Sequence, residues 1–143
     1  MKNTLLLILF AISPTTFSQN LQSEYIYGKW KQYGYKNFHD TVIKTSKEEC
    51  ANKVMKLGKD GTYEEEMYSL VGKGVWRFNP DSTRFGYVFS EYMGQKIPGN
   101  DLPTSFNSII LKLTRDTLII GQEAYFGPEK IKGHNDWYYL KIK

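Results

Sequence analysis

The chain has 143 residues, enough for one domain and a short leader but not for two domains. Its formal net charge is +4, and its lysines are spread out rather than gathered into a dense stripe, which argues against a nucleic-acid partner. With a single cysteine, Cys50, the chain closes no internal disulfide, so an apolar core must hold the fold; 15% of residues are aromatic, led by 11 tyrosines, whose apolar bodies and polar tips suit a small barrel wet on both faces.

The first residues follow the secretory pattern. Lys2 gives a positive start, residues 5–12 (LLLILFAI) form an apolar run, and Pro14, Thr15 and Thr16 break it. Thr16 and Ser18 are small residues placed for a cut before Gln19. The apolar run is far shorter than the ~20 residues of a membrane span, and no cysteine stands near the cut to take a lipid. The expectation is a leader over 1–18 and an exported domain over 19–143. That domain is periplasmic or extracellular and has no membrane span once the leader is removed.

Beyond the leader, short stretches of period-two alternation recur between turn residues. Residues 25–35 are aromatic-rich around Trp30. Residues 46–55 begin like a capped helix, Ser46 preceding Glu49 by three, and supply one turn before the next strand. That strand is 53–57, and Lys59-Asp60-Gly61 turns it into a hairpin with 62–68. The glycines of 71–74 predict another turn before the strand 75–78, and Asn79-Pro80-Asp81-Ser82 predicts the next. Strands follow at 84–92, 108–114 and 117–121, with a loop over 127–136 and a closing strand at 137–142. No long helical period appears. About eight short strands at this spacing predict an all-β barrel or sandwich, and closure into a barrel removes exposed edges.

Several of these pieces resemble a known family. Gly28-Lys29-Trp30 is a Gly-x-Trp at the head of the first strand. Cys50, the 54–57 alternation, Lys59-Asp60-Gly61-Thr62-Tyr63, Gly74-Val75-Trp76, the apolar runs 109–113 and 116–120 and a tyrosine-rich last strand follow in order. The ordered set resembles the small lipocalin-like domain of secreted Bacteroidetes proteins, over nearly all of the exported chain. The resemblance implies one eight-stranded antiparallel up-and-down β-barrel. Gly28 leaves room at the barrel floor and Trp30 plugs it. In place of the family's Thr-Asp-Tyr turn stands Thr114-Arg115-Asp116. Where the family stacks an arginine on the floor tryptophan, the last strand offers only Lys141 and Lys143.

Parity places the interior. Trp76 and Phe78 share a face with Gly74, and Phe85, Tyr87 and Phe89 share another. Ile109, Leu111 and Leu113 fall on one side of their strand; so do Leu118 and Ile120. Trp76, Phe78, Tyr87 and Phe89 are the candidate ligand-binding residues. Within Glu64-Glu65-Glu66, Glu65 points inward if Tyr63 and Met67 do, and an inward carboxylate needs a partner. It is the candidate polar contact.

Catalytic patterns are absent from the sequence: no nucleophile elbow, phosphate loop or paired-cysteine zinc spacing. His39-Asp40 and His134 with Asp136 could each supply a base or half a metal site, but no third ligand has a recognisable spacing. Glu48 and Glu49 beside Cys50 would raise its thiol pKa rather than activate it. The reading is a non-enzymatic exported protein, without cofactor or metal, that binds a small apolar or amphipathic molecule in its barrel. The alternative is a protein-interaction module of the envelope with a filled barrel and no ligand.

Overall fold

The computed structural model describes residues 23–45, 52–99, 102–126 and 131–143. The leader, Cys50 and residues 46–51 of the capped segment expected over 46–55 lie outside the described residues, and Val54 and Met55 of that segment are strand. The described part is nearly all strand: a 3-10 turn at Ser23–Ile26, then β1 (Gly28–Lys36), β2 (Val54–Leu57), β3 (Thr62–Met67), β4 (Leu70–Phe78), β5 (Arg84–Tyr92), β6 (Gln95–Lys96), β7 (Ser108–Leu113), β8 (Thr117–Phe126) and β9 (Ile131–Ile142). Each long strand pairs antiparallel with the next in the chain, and β9 pairs back to β1. The sheet thus closes into an up-and-down ring of eight strands, with the two-residue β6 attached outside it.

Alternation sorts side chains between the two faces. On β1, Trp30 and Gln32 are buried while Lys29, Lys31 and Tyr33 are exposed. Their partners continue the same faces: Trp30 pairs with Met55 on one side and Lys141 on the other, and Met55 pairs with Glu65. Tyr63, Trp76, Phe85, Leu118, Ile120 and Tyr139 join them in one contiguous core. At the floor end, two hairpins use the same device. Asp60 Oδ1 accepts from Thr62 N at 3.0 Å and Thr62 Oγ1 at 2.6 Å, and Asp81 Oδ1 accepts from Thr83 N at 2.9 Å and Thr83 Oγ1 at 2.5 Å. These bonds depress both aspartate pKa values.

Three sequence expectations change. The turn expected at 71–74 is at Tyr68 and Ser69, with φ of 50° and 68°, the two-residue geometry that matches strand twist. Gly72 and Gly74 lie within β4 because β5 presses on them: a Cβ at Gly72 would overlap the Phe89 ring, and one at Gly74 the Val88 carbonyl. Of the loop expected over 127–136, residues 127–130 lie outside the described residues and 131–136 are strand, since β8 and β9 run on past Gly121 through Gln122↔Asn135 and Glu123↔His134. On β7 the shared face of Ile109, Leu111 and Leu113 is split. A register shift between Ile110 and Lys112 puts an extra residue in the strand, so Ile110 is buried and Leu111 is 38% exposed, while Leu113 still packs on the core.

Candidate binding chamber inside the barrel

The floor end is filled. Trp30 is fully buried, and its Nε1 donates to the Ile26 carbonyl of the 3-10 turn at 2.7 Å. The Lys141 ammonium lies 4.9 Å from the centre of the Trp30 ring and donates to the Tyr25 carbonyl at 2.9 Å, so it takes the stacking place expected of an arginine. Burial holds its pKa below the ordinary lysine value. Gly28 makes room for it: its φ is +129°, and a Cβ there would stand 2.7 Å from Lys141 Cε. Trp76 completes this end, with Nε1 donating to the Gly58 carbonyl at 2.9 Å and Phe78 edge-on at 5.1 Å.

Above this packed half the interior becomes polar. Lys53 Nζ and Glu65 Oε2 form an ion pair at 2.7 Å, with side chains only 16% and 13% exposed. The Tyr63 hydroxyl donates to the same Glu65 oxygen, and its ring stacks on Tyr87 with centroids 4.3 Å apart. Burial works against the charge of Lys53, but the oxygens of Tyr139, Glu65 and Tyr87 more than offset it, so the ammonium pKa is raised. Burial pushes Tyr139 up to about 12 and Tyr63 well above its ordinary value, with Glu65 and Tyr87 adding to both.

Between these groups and Trp137 lies a chamber of about 170 Å3. Met55, Phe85 and Ile120 give it apolar wall; Gln32, Ser108 and Gln122 give it polar wall. Gln32 is 5% exposed, and its Oε1 is a buried side-chain atom with no hydrogen-bond partner. Such an atom costs free energy unless something donates to it. A second space of about 220 Å3 shares Phe85, Tyr87, Ser108 and Gln122 with the chamber and continues to Ser105 and Asn107.

That second space marks a seam in the wall. β5 and β7 share only two register pairs, Arg84↔Ile109 and Phe85↔Ser108. Further along, Glu91 and Tyr92 pair with β6 instead. The connection into β7 leans on Gly86, where a Cβ would overlap the Ser105 carbonyl. Arg77 holds that connection from β4, its Nε donating to the Pro103 carbonyl at 2.8 Å. Arg84 and Glu123 pair at 3.0 Å outside the β7 start.

Compared with protein-family models, curated proteins and solved structures, the chain matches none. The site is therefore read from its own geometry. Of the residues named from the sequence, Tyr87 lines the chamber and Glu65 borders it through Lys53 and Tyr63. Trp76 and Phe78 sit at the packed floor end, and Phe89 lies between Tyr63 and Tyr92. Gly28 and Trp30 are at the floor. The sequence reading missed Gln32, Lys53 and Trp137. Parity with Trp30 would have found Gln32, and parity with Met55 would have found Lys53.

The histidines are placed differently from each other. His134 is on β9, beside the buried Asp136, which also meets Lys36 Nζ at 3.7 Å. His39 lies edge-on to Phe38 in the loop after β1, and the adjacent Asp40 pairs with Lys44 at 3.3 Å. Among the described residues no group of three His, Cys, Asp or Glu side chains could hold a metal ion.

Proposed function

We propose that this chain is an exported lipocalin-like protein that binds a small amphipathic molecule inside its barrel and carries out no reaction on it. The unpartnered Gln32 Oε1 in the wall of the chamber carries the reading. A barrel built only to be filled has no use for a buried acceptor left without a donor beside a chamber. Aromatic wall on one side and polar wall on the other suit a ligand with both characters. The two charges nearest the chamber neutralise each other at 2.7 Å, which supports binding rather than proton transfer.

Native mass spectrometry of protein taken from its own host tests this directly, the expected result being a co-purifying small molecule. Tryptophan fluorescence gives a second test. Trp137 lines the chamber and Trp76 does not, so ligand should quench or shift emission in the wild type and in Trp76→Phe, but not in Trp137→Phe. A response that survives Trp137→Phe and is lost in Trp76→Phe would put the ligand elsewhere.

A second reading, a protein-interaction module, draws on a different observation. Tyr68 and Met93 are exposed apolar side chains on the hairpins opposite the floor, and Ile97 and Leu102 are exposed on the connection after β6. An unliganded protein from the host that retains a bound protein would favour it.

A further inference from the structure

We infer that the chamber takes a neutral, single-ring aromatic molecule carrying one O–H or N–H donor, a small phenol being the simplest case. This rests on the reading of the barrel as a binding site. Size comes first: an apolar cavity of about 150 Å3 accepts benzene, and the chamber here is about 170 Å3. One ring with a small substituent fits within it; a long acyl chain would have to run on into the second space.

The ring is matched by the walls. Phe85, Tyr87 and Trp137 offer aromatic surface, and Met55 adds a thioether of the kind that packs on ring edges. The donor is matched by Gln32 Oε1, buried and unpartnered. Neutrality follows from the ion pair. Lys53 is already balanced by Glu65 at 2.7 Å, and Tyr63 donates to the same carboxylate. A ligand with its own charge would bring an uncompensated charge into this space, which is costly. The second space at the seam adjoins the chamber at Phe85, Tyr87, Ser108 and Gln122, and a ligand would enter from that side.

The test uses the exported chain and three single-ring probes of similar size: p-cresol, toluene and benzoate. Binding is followed by Trp137 emission and by calorimetry. The expected result is p-cresol binding at least tenfold tighter than toluene and than benzoate. In Gln32→Leu, p-cresol should weaken at least tenfold while toluene is unchanged or tighter. Gln32→Met serves the same purpose if the first variant does not fold. Equal binding of p-cresol and toluene, a preference for benzoate, or p-cresol affinity untouched by either variant overturns the inference. If the single-ring probes fail while dodecanoate binds and shifts Trp137, the ligand class is wrong and the barrel remains a binding site. If nothing binds, both readings fall.

Discussion

Trp30 and Tyr139 show what single side chains do here. Trp30 fills the floor, hydrogen-bonds Ile26 at 2.7 Å and carries Lys141 on its face. Trp30→Ala removes all three interactions and leaves a cavity, so it should cost about 3–5 kcal/mol in denaturant melts. A loss below ~1 kcal/mol would mean that the floor repacks around the gap. Tyr139, Tyr63 and Lys53 predict a pH dependence of one sign. An unfolded tyrosine ionises near pH ~10, whereas folded Tyr139 holds its proton up to about 12. Between those values the unfolded chain binds fewer protons than the folded one, so stability falls as pH rises. The raised pKa values of Tyr63 and Lys53 act in the same direction. Urea midpoints should therefore drop from about pH 8 to about pH 11, and phenolate absorbance from these tyrosines should appear only with unfolding. A flat profile would place the hydroxyls in water.

Among the elements, the β5–β7 seam is the weakest join of the ring. It has two register pairs, against ten between β8 and β9. The connection over 102–107 supports it by lying against Gly86. Gly86→Ala forces a methyl into the Ser105 carbonyl, so the connection must shift. The expected loss is about 1–3 kcal/mol, with faster amide exchange over 103–108. Exchange unchanged there would show that the connection gives way without cost. The strand ends show why local signals mislead. Glycine at 72 and 74 looks like turn chemistry, yet it serves close packing on Phe89 and the Val88 backbone. Tyr68 and Ser69 lack the Gly, Asn or Asp that a turn with two positive φ angles favours, yet they make the turn, because pairing Met67↔Leu70 leaves only those two residues to reverse the chain.

For the whole molecule, the outer face of the barrel carries Lys29, Lys31, Lys56, Glu64, Glu66 and Lys73. A barrel face that met lipid would be apolar over such a band. No helix among the described residues is long and apolar enough to cross a membrane. The leader pattern adds its own prediction: intact mass of the exported protein should correspond to a chain beginning at Gln19, and a full-length membrane-held product would contradict it. The sequence by itself determined the strand class, most strand positions, and which side chains of β3, β4 and β5 share a face. These depend on period-two alternation and turn chemistry, which are local. Only the tertiary structure decided that β9 pairs back to β1 to close the ring, that Lys53, just before β2, meets Glu65 of β3, and that Gln32 and Trp137 line one chamber. Those facts depend on register and on shifts at the bulges, and a two-residue slip between strands keeps every side chain on its face, so alternation alone does not mark it.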